Sequence, residues 1–444
     1  MRVIPNAKKY GSIQEEYQAK LRHPDELAAM INSGDTIMMP GGTTIPHEFN
    51  LSLAKRASEL KDVTICLGLA LKLYDFMQPE YKDNIRIETP FVGPVERMGL
   101  EWGTAAYIPT HLNKLGAWMD QKQGRVATFV CTPPDENGWL NRSAFGGLMP
   151  KRAIDRSDLV IVEINPKSPW LNGDAFKIHI SEIDYLCESN SDPTEIPGIP
   201  ITDVERQIAH YIADMIPDGS TIQLGLGGLA DAIGYFLKDK KDLGVHTEVV
   251  QKSFMELMKL GVVNGSKKNF NPGKVMATFC VGDKELWDFV DHNDEFIFTE
   301  VEYNNDPRVI GQNDNLVSVN NALILDLTGQ VGAESIRHRQ YSGTGGQMNF
   351  VQGAGLSKGG KSIIALNATW KGKKDKLMSS IVPFMPPGTI VTTPRSEVEY
   401  VVTEFGVANL RFKNVSQRVK ELINIAHPDF REDLKAQAKR FWID

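Results

Sequence analysis

Met30 to Thr44 reads MINSGDTIMMPGGTT, and Met215 to Leu229 reads MIPDGSTIQLGLGGL. The two align without gaps at a spacing of 185 residues, and Met, Ile, Gly, Thr, Ile and a later Gly coincide. Each copy has the pattern of a helix end, a turn at Gly34 or Gly219, a short β-rich run and a glycine loop, as in a βα unit. A supersecondary unit written twice implies two related α/β halves, and 444 residues is more than one hydrophobic core normally organises. Between the halves, SNSDPTEIPGIPITD (Ser189 to Asp203) carries three prolines and no helical period. The linker is therefore expected there, with an N-terminal domain over 1–190 and a C-terminal domain over 203–444. Apolar runs such as SDLVIVEINP, KSIIALNAT and GTIVTTP alternate with helical patterns, which predicts mostly parallel sheets covered by helices on both faces.

Charge narrows the partners. Lys and Arg number 49 against 56 Asp and Glu, with no long run of one sign. That balance gives no electrostatic footprint for nucleic acid or an anionic membrane, so small molecules or further copies of the chain are the expected partners. Cys66, Cys131, Cys187 and Cys280 stand singly in apolar runs without CxxC spacing, the usage of buried thiols in a reducing compartment. The start MRVIPNAKKYGSIQEEYQ has no apolar signal region, and no window of about 18 apolar residues occurs. A cytoplasmic protein is expected.

The second glycine loop lies in TIQLGLGGLADAIGYF, where Leu229, Ala232, Ile233 and Phe236 recur at helical spacing. Gly225, Leu226, Gly227 and Gly228 are thus placed at a helix N-terminus, where free N–H groups and the positive dipole end face an anion. A merely tight βα turn would look the same. Gly225, Gly227 and Ala230 also spell the GxGxxA dinucleotide fingerprint, with Glu248 about twenty residues on, so an NAD-dependent oxidoreductase is one reading. Against it, Glu248 follows LGVHT, a short polar run, and precedes Val250, Phe254, Leu257 and Met258, an apolar face ended by Gly261. The sequence therefore predicts that Glu248 opens a helix, where the dipole favours its ionised form.

A longer glycine cluster, YSGTGGQMNFVQGAGLSKGGKS, spans Tyr341 to Ser362. Its length and glycine content exceed those of a simple connection. His179, Glu182 and Asp184 in KIHISEID could be drawn as metal ligands, but on a strand His179 and Glu182 face opposite ways; no metal is expected. His246 reads as a structural neighbour of Glu248. Lys371, Lys373, Lys374 and Lys376 form a run more often found as a solvated surface than as a phosphate site.

Taken together, GLGGLADAI, GVHTE, NDPRVIGQNDNLVSVNNALILDLTGQV, SGTGGQMNFVQGAGLSKGGKSIIAL and TTPRSEVEYVVTEFGVANLR closely resemble the acetyl-CoA hydrolase/transferase family. Within it they are most similar to 4-hydroxybutyrate and butyryl-CoA:acetate CoA-transferases, and TPPDENGW and FKIHISEID extend the likeness to the first half. The resemblance implies two tandem CoA-transferase-type α/β domains and a homodimer or homotetramer. It implies a glutamate nucleophile at Glu248, and oxyanion and CoA-binding roles for Gly225, Leu226, Gly227, Gly228, Leu229, Gly345 and Gly346. Coenzyme A thioester would be a co-substrate, with a small carboxylate as acceptor and no prosthetic group. An acyl-CoA hydrolase on the same scaffold stays open, and the residues do not name the acid.

Overall fold

The computed structural model describes residues 10–440 apart from 197 and 199. The chain forms two compact units, Met1–Ile196 with Met276–Asn304, and Pro197–Val275 with Asn305–Asp444. The division is more than one cut between the halves, because Met276–Asn304 packs with the first unit although it follows the second glycine loop.

The first unit is built on a sheet of seven strands: β1 (Thr36–Met38), β2 (Val63–Cys66), β3 (Ile85–Thr89), β4 (Ala105–Tyr107), β5 (Val126–Cys131), β6 (Leu159–Ile164) and β7 (Tyr185–Glu188). Their order is β4-β3-β2-β1-β5-β6-β7, and every pairing is parallel. Both faces of such a sheet are covered. VATFVC in β5 is accordingly buried along its whole length, and the core gathers Ile37, Ile65, Ile87, Val126 and Ile161 with Phe49 and Leu53.

The second unit carries β8 (Thr221–Leu224), β9 (Gly244–Val245), β10 (Leu316–Asn321), β11 (Lys361–Ala365), β12 (Tyr400–Thr403) and β13 (Gly406–Asn409). Their order is β9-β8-β10-β11-β12-β13, parallel except for the last hairpin pair. Helices α1 (Asp203–Asp214), α2 (Gly228–Phe236), α3 (Lys252–Lys259) and α4 (Gln347–Leu356) belong to this unit. Each sheet reverses its winding once, between β1 and β5 in the first unit and between β8 and β10 in the second. In doubly wound sheets ligands bind beyond the carboxyl ends of the strands at that reversal.

The duplication in sequence is also a duplication in structure. Gly34 and Gly219 both take left-handed backbone, at φ +84° and +75°, and both donate a backbone hydrogen bond of 2.9 Å to a lysine carbonyl, that of Lys61 or Lys241. Two residues later Thr36 and Thr221 open β1 and β8. Between β7 and α1 the chain has no regular element among the described residues; Pro197 of the proline-rich stretch lies outside them.

Candidate active site

The winding reversal of the second sheet falls beside Leu224, the end of β8, and Asn321, the end of β10. Gly225 follows directly, Gly227 caps α2 with φ +109°, and α2 begins at Gly228. The glycine loop therefore does stand at a helix N-terminus. Leu226 is exposed and Leu229 buried.

Glu248 reaches the same edge from β9, three residues past Val245. It does not open a helix. Val249–Val250 is a two-residue strand, Gln251 is the cap, and α3 starts only at Lys252. The apolar spacing read from Val250 onward merges a strand residue with the true helical face of Phe254, Met255 and Leu257. The dipole consequently does not hold Glu248 ionised. Its surroundings do the opposite: desolvation in a protein-lined recess pushes the carboxyl up to about 7, against a lowering by the Asn305 amide. Asn305 Nδ2 donates to Oε2 at 2.8 Å. Standing after a strand, Glu248 also occupies the place a ribose-binding acid would take, so the local argument against the dinucleotide fingerprint does not hold.

Gly346 meets this carboxylate at the same oxygen, beside Asn305. A Cβ built on it would lie 1.9 Å from Glu248 Oε2 and 2.6 Å from Asn305 Nδ2, so only glycine allows the approach. Gly345 before it has φ +56°. Gly225 is joined to the Glu248 segment one step removed, since its carbonyl accepts from Gln251 Nε2 at 3.0 Å, and Thr247 Oγ1 reaches the Leu224 carbonyl at 3.4 Å. Gly228 instead abuts Glu205, whose Oε1 would be 2.8 Å from an added Cβ. Asp231 in the first turn of α2 is raised by burial and then by the Glu205 charge. Two acidic groups at this helix start work against a dianionic phosphate seated there, more than against a single developing oxyanion.

His246 is fully buried, its Nδ1 is 2.9 Å from Asn313 Nδ2, and its ring lies between Phe270 and Phe350. That is packing, as expected. Lys371, Lys374 and Lys376 are exposed on the hairpin of Thr369–Lys371 and Leu377–Ser379, and the Lys373 side chain lies outside what is described. In the first unit, Glu182 accepts from the His179 N–H at 2.9 Å and pairs with Lys151 at 2.5 Å, while Asp184 accepts from the Val160 N–H at 2.8 Å. These three residues are engaged in capping and strand ends. Among the described residues no group of three His, Cys, Asp or Glu is placed to hold a metal ion.

Two residues of the site went unassigned in the sequence. Asn305 opens the NDPRV segment and Gln347 follows the glycine pair in TGGQMNF, so both lay inside noted motifs without a role. The first unit has no counterpart of Glu248. Thr36 pairs with Thr64 and Ile37 with Ile65, as Thr221 pairs with Gly244 and Ile222 with Val245; counting on from these pairs, Glu248 corresponds to Gly68. The Gly68 N–H donates to the Pro40 carbonyl at 2.9 Å, and a side chain there would meet that oxygen at 2.5 Å.

Residues 4–197 match the acetyl-CoA hydrolase/transferase N-terminal domain, and residues 282–438 match the C-terminal domain of the same family. The chain is 39% identical over 441 residues to a succinyl-CoA:cyclohexane-1-carboxylate CoA transferase of Geobacter metallireducens, covering 99% of both chains. It is 38% identical to a 4-hydroxybutyrate coenzyme A transferase of Clostridium kluyveri, over 96% of this chain and 99% of that one. The crystal structure of RipA from Yersinia pestis superposes with a TM-score of 0.90 at 32% identity, over 98% of this chain and 100% of that chain. The chain belongs to the acetyl-CoA hydrolase/transferase family. It is an enzyme of the CoA-transferase type, which settles the choice against the dinucleotide reading. No helix among the described residues is long and apolar enough to cross a membrane.

Proposed function

We propose that this chain moves coenzyme A from an acyl-CoA to a small carboxylate by way of a thioester on Glu248. The observation that carries the reading is the contact of the Glu248 carboxylate with Gly346 and Asn305, at the carboxyl edge where doubly wound sheets bind ligands. The Glu248 carboxylate attacks the thioester carbonyl, forming a mixed acyl–glutamyl anhydride and expelling CoA thiolate. The thiolate attacks the Glu248 carbonyl, giving glutamyl-CoA and releasing the first carboxylate. The second carboxylate attacks glutamyl-CoA, the thiolate leaves again, and its attack on the new acyl carbonyl yields the product and frees Glu248. No net proton is consumed, so no general base is needed. Each attack builds an oxyanion, and we assign its stabilisation to backbone N–H groups around Gly228, Leu229 and Gly346 and to Asn305; one such donor is commonly worth about 2.7–4 kcal/mol.

A carboxyl that ionises near 7 suits this work. It is a stronger nucleophile than an ordinary carboxylate, and its ionised form stays within reach near neutral pH. The acceptor is of the acetate, butyrate, 4-hydroxybutyrate, succinate or itaconate type; a pocket discriminates one methylene by only about 1–3 kcal/mol. A homodimer or homotetramer in a reducing cytoplasm completes the reading; the four buried free thiols bear on the reducing compartment alone. Hydrolysis would pass through the same intermediate with water as acceptor, so dependence on an added carboxylate separates the two.

The thioester itself supplies the test. An activated Glu248 carbonyl is open to attack by its own backbone nitrogen, which closes a five-membered ring and expels CoA thiolate. Water then cleaves the weakened Thr247–Glu248 bond. Heating after acyl-CoA treatment should give pieces of 247 and 197 residues, the second beginning with pyroglutamate, and none from Glu248→Gln. An intact chain from a preparation with proven turnover would refute the glutamyl thioester, and a cut elsewhere would move the nucleophile.

A further inference from the structure

Gln347 is the first residue of α4, directly after Gly346. Its side chain is buried, and both ends of its amide are used. Nε2 donates to the Asn321 carbonyl at 2.8 Å, and Oε1 accepts from Thr393 Oγ1 at 3.0 Å. Asn321 ends β10, one of the two strands that flank the winding reversal. Thr393 is fixed in turn, because its N–H donates to the Val331 carbonyl at 3.2 Å and its carbonyl accepts from the Val331 N–H at 3.1 Å. One neutral side chain thus bridges the sheet edge, the start of α4 and a third segment. A primary amide suits the task because it offers a donor and an acceptor at one end without charge.

We propose that Gln347 is a positioning residue, holding Gly346 at its contact distance from the Glu248 carboxylate. The inference rests on the reading of Glu248 as nucleophile, and it assigns Gln347 no contact with substrate. Gly346 has no side chain of its own to anchor it, and the permissive Gly345 separates it from Thr344, whose Oγ1 donates to Glu334 at 2.9 Å. The next residue along is the first that tethers the loop to the sheet. Rates respond steeply to such placement: about 1 Å of misplacement costs roughly 100-fold.

Gln347→Met keeps the length and removes both hydrogen bonds, whereas Thr393→Val removes only the far partner and leaves the loop sequence intact. Both variants should lose about 10- to 100-fold in kcat, with KM for acyl-CoA within about threefold, because neither change removes a group assigned to CoA binding. The double variant should be no slower than Gln347→Met alone, since the two residues act as a unit. Titrating the CoA thioester per chain distinguishes slow sites from lost ones. Full titration with slow turnover is expected. Partial titration with normal turnover per competent site would reduce Gln347 to a stability role and overturn the proposal, as would unchanged kcat in Thr393→Val or strictly multiplicative losses in the double variant. If Gln347→Met fails to fold, Thr393→Val carries the test alone. Glu248→Gln assayed alongside keeps the two ideas apart: turnover retained there removes the nucleophile itself, whereas a dead Glu248→Gln beside a normal Thr393→Val removes only the tether.

Discussion

Glu248→Gln should stabilise the second unit at pH 8 and do so much less at pH 5. In the folded chain burial raises the carboxyl from 4.5 to about 7, while in the unfolded chain it titrates at its ordinary value. Between those two values the folded state holds a proton that the unfolded state has released, so stability falls as pH rises and the whole cost is present above about 7. At about 1.4 kcal/mol per pH unit of separation, the ceiling is about 3 kcal/mol. Part of the Glu248 side chain remains reachable by solvent, so roughly half of that ceiling, about 1.5 kcal/mol, is the expected gain on removing the charge. For a unit formed by Pro197–Val275 and Asn305–Asp444 this corresponds to about 3–6 °C in unfolding temperature. Glutamine keeps the shape and never ionises. Scanning calorimetry of the two proteins at pH 5 and pH 8 reads the difference directly. The same gain at both pH values, or none at pH 8, would show that burial does not strain the ionised carboxylate and would refute the argument.

Asn305→Asp replaces the amide that donates to Glu248 by a second carboxylate, so Glu248 should hold its proton to higher pH. The acid limb of the kcat/KM profile should move up by about one pH unit or more, and a limb that stays in place would show that Asn305 does not govern this ionisation. Gly346→Ala sets a methyl group 1.9 Å from Oε2; we expect kcat lower by at least about 100-fold with CoA affinity within about threefold, and equal losses in both would indicate a collapsed loop. All four cysteines are buried, and burial pushes the Cys66 and Cys280 thiols up to about 12 and those of Cys131 and Cys187 upward as well. A thiol reagent should therefore label none in the native protein and four after denaturation; fast native labelling would contradict the packing around them.

The repeat at Met30 and Met215 carried the architecture because its punctuation is local. Gly34 and Gly219 are where the chain must turn left-handed, and the strands that follow begin where the sequence places them. The end of β9 was not legible in the same way. Only two residues, Gly244 and Val245, form that strand, too few for a period of two to show, and the helical spacing downstream absorbed Val250. The motif therefore singles out Glu248 without revealing its local structure. The shift of its carboxyl was invisible for a related reason: burial comes from segments distant in sequence. Asn305 lies 57 positions away, and Gln347 reaches Asn321 and Thr393 across 26 and 46 positions. The assignment of Met276–Asn304 to the first unit had no sequence signal at all, since nothing local marks a chain that returns to an earlier unit.

Gly68 gives the duplication a stoichiometric meaning. Two copies of the βα frame survive in one polypeptide, but the first has a hydrogen-bonded glycine turn at the position where the second has its carboxyl. If CoA is held on Glu248 as proposed, the capacity for it counts polypeptides and not sheets. Saturation then stops at one equivalent per chain whatever the assembly, and any half-of-sites behaviour would be a dialogue between separate chains.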